Sequence, residues 1–521
     1  MAQSRVKAAP RRRMLLFWGV LTALVIICAY VVALALAAGC AYIGYALLGS
    51  GSVGVGLLIL AVGAITCAAA ILWSLAPRPD KFTPPGPVLN AASQPRLFSE
   101  ISTIAAEFEE PMPAAVYLML DTNAWVAQRG GMLGWGSRRV MALGLPVLAV
   151  LTISEFRAVL AHEFAHYYGG DTGVGPWIAK ARDALGRSLQ NLSSNSGFLG
   201  IMSRWAYIAI LRLIIVTIFG LYWKLFLRLT LMVSRQWEYR ADELACAVAG
   251  AQPLVSGLRK IAGISLAWPA FWGSELVPSL QAGFRPPVAD GFARFLLAPA
   301  IAQQVTANAA AIFQSEKPHI FSSHPTLQQR TERALSHRFN SASSVDAPAI
   351  TLFDGAADLE LSALQTLFPK AKLADLRSIE WQSIGPTIYL PSWRKFANEY
   401  RELLAPYRVG DIPDALANLG NFTAKVRDPK GTLLTREQRA QRCVALLWMA
   451  FALALLRDGW SLETQPGDFH LVRGERKLAP NDLVVRLKQG LLPEAEYREL
   501  VQTLGIAALP LAPAEQNTPE P

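Results

Sequence analysis

Cysteine and histidine are scarce in this chain, and over one long stretch charge of either sign is missing altogether. The five cysteines are scattered, Cys28, Cys40 and Cys67 in apolar sequence and Cys246 and Cys443 in helical patterns, with no C-x-x-C pair. That excludes a cysteine-rich zinc knuckle, a dithiol redox motif and a disulfide framework, and it agrees with a reducing compartment. The net charge of +10 is not gathered into an aromatic-interleaved patch or a recognisable binding motif, which excludes nucleic acid as the partner. From Met14 to Pro77 there is no Lys, Arg, Asp, Glu or His over 64 residues, where one bilayer span needs about 20. Such a run must cross or enter a membrane.

The run is broken by LLGSGSVGVG at 47–56, which leaves two apolar halves, each long enough to span, and predicts a transmembrane helical hairpin. A cleaved signal peptide is excluded because the apolar core is too long and is followed by more apolar sequence. A lipoprotein site at Cys40 fails because AYIGYALL follows it. Lys7, Arg11, Arg12 and Arg13 precede the first span and Arg78 and Lys81 follow the second, so both flanks are expected in the cytoplasm. The expected location is an integral membrane protein, in the inner or cell membrane if the source is bacterial, with the rest of the chain starting on the cytoplasmic side.

What the chain does have is AHEFAHYYGGD at 161–171, two of its six histidines bracketing a glutamate. Residues 152–170 are expected as one helix, opened by a Thr152/Glu155 capping box and stopped by Gly169-Gly170. On it His162 and His166 lie one turn apart and can hold one metal ion together, with Glu163 beside them in reach of a water. Catalytic zinc needs a third protein ligand and an open position. SRQWEYRADELACAVAG at 234–250 is again helical, with Glu238 and Asp242 one turn apart.

HEFAH, SRQWEYRADELA and SSHPTLQQR at 322–330, in this order, resemble the HtpX and CAAX-prenyl-protease family of integral-membrane zinc metallopeptidases, over residues 1 to about 340. The resemblance implies a zincin-like domain of HExxH gluzincin type in which His162, His166 and Glu238 bind one zinc ion per chain and Glu163 is the general base. It also implies that Asp242 orients a ligand histidine, as metal sites require on physical grounds. Asp171 matches another acid of the family and is either a support to the site or structural. His324 and Arg330 are offered as stabilisers of the oxyanion, with a cap on the zinc as the other reading of His324. Asn123-Ala124, in VYLMLDTNAWVAQRG, matches a strand beside the active site that can pair with a substrate backbone; alternatively Asn123 is a turn residue.

Between the half-sites, residues 205–233 are apolar enough for a third span. Both half-sites must share one side of the membrane, so an even number of crossings is required. Lys180, Arg182, Asp183 and Arg187 make 172–200 unsuitable as a second crossing. Residues 205–233 are therefore expected as a helix packed in the peptidase core or lying in the interface, where HtpX-like relatives have a hairpin.

The fold class expected is mainly α with a small β-sheet. Residues 1–80 form the basic N-terminus and two-helix anchor and 81–340 the metallopeptidase domain. Residues 341–521 follow as a C-terminal α+β domain, with a linker near NSASSVDAPA, a hairpin around Pro466-Gly467, a buried helix at 444–456 and a Pro-rich tail. The function expected is a membrane-anchored zinc endopeptidase facing the cytoplasm, acting on protein or peptide substrates at the bilayer in quality control. The alternatives are a zinc-stabilised membrane scaffold and a CAAX-type processing protease. No sequence feature sets an oligomeric state.

Overall fold

The computed structural model describes residues 12–49, 54–76, 79–131, 136–168, 175–193, 206–315, 325–336, 346–428 and 433–512. Packing divides the chain into two units, Met1–Ser265 with Thr306–Pro369, and Leu266–Val305 with Lys370–Pro521. Neither is contiguous in sequence, so residues 266–305, read from sequence as part of the peptidase segment, pack with the C-terminal residues instead.

In the first unit the uncharged run forms helices α1 (Arg12–Gly49) and α2 (Val55–Leu75). A side chain at Gly44 would strike Ile65, so glycine lets the two helices approach closely. Ala23–Gly49 and Val55–Leu75 are each long and apolar enough to cross a membrane. Helix α3 (Pro95–Glu107) follows. Strands β1 (Val88–Leu89), β2 (Ala115–Met119), β3 (Ala124–Arg129) and β4 (Arg138–Gly144) form a sheet of order β1-β2-β4-β3. Strand β4 is parallel to β2 and antiparallel to β3, with Val126 opposite Met141. This leaves β3 at an edge.

Helices α4 (Leu145–Val150) and α5 (Ile153–Ala165) come next. The Thr152/Glu155 capping box is present. Helix α5 ends earlier than its sequence suggested, with His166 as its C-cap, one turn short of the glycine pair. Glu155 also accepts hydrogen bonds from Ser256 Oγ and Lys260 Nζ. Residues 346–354, near the expected linker, are tied to this region: Ile153 N donates to Ala347 O, Ala349 N to Leu151 O, and Arg96 pairs with Asp354.

The expectation for 172–233 needs correction. Helix α6 (Gly175–Ser193) pairs with α7 (Ala206–Ala249), a continuous 44-residue helix about 66 Å long at 1.5 Å per residue. Arg212 Nε donates to Leu192 O and Gly186 lies against the Trp223 ring, so the two helices run antiparallel as a hairpin. Leu185 and Leu192 of α6 and Ile215, Phe219 and Phe226 of α7 share one apolar cluster with Ile26, Ala33, Cys67 and Ile71 of α1 and α2. The charge that argued against α6 has a local use. Arg187 Nη2 donates to Ser74 O and Asn191 Nδ2 to Ser74 Oγ, at the C-terminal end of α2, where helix carbonyls lack partners of their own. Arg212–Ala249 is itself long and apolar enough to span.

In the second unit, helix Arg436–Arg457 is the fourth segment long and apolar enough to span, and it extends well beyond the 444–456 expected. Residues of its own unit cover it, Cys443, Leu446, Leu447, Phe451 and Leu455 being buried with Trp393, Phe422, Leu471 and Tyr497. The expected hairpin is formed by Ser461–Gln465 and Asp468–Arg473, with Arg476–Leu478 as a third strand. Gly467 has φ 76° at the third position of the turn, as a type II turn requires. Short strands Phe284–Arg285 and Arg377–Ser378 pair in parallel, and Trp381 Nε1 donates to Pro287 O.

Candidate metal centre

Two helices build the centre. On α5 the four-residue spacing turns His162 and His166 to the same face, with their Nε2 atoms 3.3 Å apart. The C-terminal part of α7 brings Glu238, whose Oε2 lies 3.5 Å from His162 Nε2 and whose Oε1 lies 3.8 Å from His166 Nε2. One ligand atom from each residue falls within 4.8 Å of the others. The corners of a zinc tetrahedron with bonds of about 2.0–2.1 Å are about 3.4 Å apart. The three side chains therefore fit zinc in spacing and donor type, and a His-His-Glu set leaves a fourth position open.

Behind these three residues, His162 Nδ1 lies 3.0 Å from Asp242 Oδ1. That bond puts the proton on Nδ1 and leaves the Nε2 lone pair for a metal. Asp242, one turn beyond Glu238, is paired with Arg330 of helix Leu327–Ser336 through Nε–Oδ2 at 2.9 Å and Nη2–Oδ1 at 2.7 Å. Arg330 Nη1 also lies 3.8 Å from Glu238 Oε2. The arginine thus faces both acids of α7.

Glu163 Oε2 accepts the Val126 amide at 3.3 Å, and the Tyr167 hydroxyl donates to Val126 O at 2.7 Å. Burial pushes the Glu163 carboxyl up, against the lowering effect of His162 and the Val126 amide. Burial lowers His166 to about 4, helped by the neighbouring His162. At His162 burial acts the same way but is outweighed by the bonds to Asp242 and Glu238, which hold it at about 9. At 3.3 Å the two rings do not both take a second proton, and the acids decide which ring holds the added one.

Of the residues expected from sequence, His162, His166, Glu238, Glu163, Asp242 and Arg330 come together here. Asp171 and His324 lie outside the described residues. Asn123 precedes β3, and its Oδ1 accepts the amide of Ala124, the first residue of that strand. Val126 and Tyr167 went unnoticed in the sequence. Strand alternation was the available signal for the first, since 126 shares an orientation with 124; adjacency to His166 was the signal for the second.

No solved structure matches this chain. Residues 91–338 match the family model of peptidase family M48, the segment that holds all six of these side chains. The family is metal-dependent, and its members hydrolyse peptide bonds in protein or peptide substrates. The chain therefore carries a peptidase family M48 domain, that of the HtpX-like zinc metallopeptidases.

Proposed function

We propose that this protein is a membrane-anchored zinc endopeptidase whose centre faces the cytoplasm and whose substrates are membrane or misfolded proteins. The observation that carries the reading is the convergence of His162, His166 and Glu238 within 4.8 Å, with Glu163 held beside them by an edge strand. One zinc ion per chain, held by those three residues, supplies Lewis acidity toward a scissile carbonyl and toward water.

The protein's own groups do the rest. Val126 holds Glu163 Oε2, and we assign Oε1 to take the proton of the attacking water and pass it to the departing amine. The raised proton affinity of the buried Glu163 carboxyl suits it to both transfers. Asp242 keeps His162 in the tautomer that donates from Nε2, and the paired Arg330 keeps Asp242 in place, which supports a positioning role for Arg330 over direct contact with the oxyanion. His324 and Asp171 remain candidates, the first as oxyanion stabiliser or cap, the second as a support to the site. Ala124 and the strand it opens lie at the sheet edge, and the outward backbone groups that Glu163 and Tyr167 do not engage are read as pairing with an extended substrate backbone, with Asn123 shaping its start.

The basic residues that flank the uncharged run support a cytoplasmic side for the peptidase. In domain terms, 1–80 anchors the chain and 81–340, apart from the residues 266–305 that pack with the C-terminal ones, carries the chemistry.

The test is a pair of detergent-solubilised proteins, wild type and Glu163→Gln, assayed for bound zinc and for cleavage of casein. About one zinc in each with cleavage by wild type alone upholds the reading, because removing a general base costs about 10²–10⁴-fold in rate. A folded wild type that binds no zinc defeats it.

A further inference from the structure

Val126 is the point at which the edge of the sheet meets the helix of the two histidines. In an antiparallel pair alternate residues direct both backbone groups away from the partner strand. At Val126 both groups are engaged on that outer side. Its amide donates to Glu163 Oε2 at 3.3 Å and its carbonyl accepts the Tyr167 hydroxyl at 2.7 Å, in a buried bond.

Tyr167 is itself braced. The Arg139 guanidinium lies over its ring, 4.3 Å from the centroid, and Arg139 Nη1 pairs with Glu110 Oε2 at 2.9 Å. Arg139 belongs to β4, opposite Gln128 of β3, so the strand beside β3 supports the phenol that holds β3.

A tyrosine that only satisfied a buried carbonyl would be expected to matter for stability alone. Here the two peptides flanking one α-carbon are held by the two ends of a short segment, Glu163 in the last turn of α5 and Tyr167 just after it. A shift of the carbonyl turns the amide, and the amide sets the direction of the carboxylate.

We propose that Tyr167 is a positioning residue: its hydroxyl fixes the Val126 carbonyl, and with it the Val126 amide that aims the Glu163 carboxylate at the metal centre. The proposal rests on the reading of Glu163 as general base. Misplacement of a reacting group by about 1 Å can cost about 10²-fold, so loss of the hydroxyl acts on turnover more than on substrate affinity or zinc.

The test uses full-length, zinc-loaded wild type and Tyr167→Phe in detergent. Three quantities are compared: bound zinc, kcat and KM on casein, and hydrogen-deuterium exchange of the segment 124–129. Expected are equal zinc, KM within about threefold, kcat lower by about tenfold or more, and faster exchange in that segment. A kcat within about twofold of wild type or above it, or exchange that does not change, overturns the proposal while the peptidase reading stands. A wild type that does not cut defeats the peptidase reading, and this proposal falls with it. If Tyr167→Phe does not fold, Arg139→Gln takes its place, since it removes the brace and keeps the hydroxyl. The same pattern in weaker form is expected from it, and unchanged kcat and exchange overturn the proposal.

Discussion

Arg330 and Asp242 meet through two hydrogen bonds, at 2.9 and 2.7 Å, with the carboxylate side chain 3% exposed. A bidentate guanidinium–carboxylate pair fixes orientation as well as charge, and this one passes its orientation to His162 Nδ1. His162 is therefore positioned by residues 80 and 168 places away in sequence.

Loss of either partner should separate metal affinity from stability. Asp242→Asn keeps the shape but no longer enforces the proton on His162 Nδ1, and zinc affinity should fall about 10–100-fold, read by chelator competition. Arg330→Met leaves a buried acid without its counter-charge and should cost about 3–5 kcal/mol of stability, read by denaturant unfolding of the metal-free protein. Unchanged zinc affinity in Asp242→Asn would remove Asp242 from the site's support.

Zinc itself should stabilise the fold. The ligands come from α5 and α7, and an ion bound only by the folded protein adds about 4 kcal/mol when free zinc is 1,000 times Kd. Thermal unfolding of chelator-stripped protein should move up by several degrees as zinc is titrated, in His162, His166 and Glu238 wild type alone. A melting temperature indifferent to zinc would speak against a site shared between two helices.

The start of α5 makes a third case. Glu155 Oε2 accepts from Thr152 N at 2.8 Å and from Lys260 Nζ at 2.8 Å, and Oε1 accepts from Ser256. Thr152→Ala removes one cap bond and should cost about 1 kcal/mol. Glu155→Ala strands several donors and should cost about 2–4 kcal/mol. Differential unfolding in denaturant decides the order, and equal losses would mean that the ties to Ser256 and Lys260 add nothing to the cap.

Much of this centre was legible because helical spacing fixes direction. His162 and His166, like Glu238 and Asp242, are four positions apart, and a helix stacks such pairs one turn apart on one face. Thr152 and Glu155 announced their helix start for a similarly local reason. Val126 was harder to find because it acts through its backbone, 37 residues from Glu163, and only its alternation with Ala124 along the strand pointed to it. The α6–α7 hairpin was missed because Arg182 and Arg187 read as too charged for it, whereas the latter's guanidinium is taken up at the end of α2. The packing of residues 266–305 with 370–521 rests in part on two-residue strands such as Phe284–Arg285, too short to show any periodicity.

The last expectation concerns pH and the second unit. Glu275 is buried; its Oε2 accepts the Tyr389 hydroxyl at 2.6 Å and its Oε1 the Gly467 amide at 3.2 Å. Burial raises its pKa above the ordinary 4.5, more than the bonds from Tyr389, Gly467 and Ser274 lower it. The folded unit thus binds this proton more tightly than the unfolded chain does. Stability from that preference is complete below about pH 4.5 and is lost as pH rises through the elevated value. Glu275→Gln keeps an acceptor for the turn that Gly467 occupies and removes the titration. Its stability relative to wild type should therefore rise as the pH climbs above about 4.5 and then level off, in paired denaturant titrations at several pH values. If wild type instead gains on the variant over that interval, Glu275 is ionised in the folded unit and its bonds outweigh its burial.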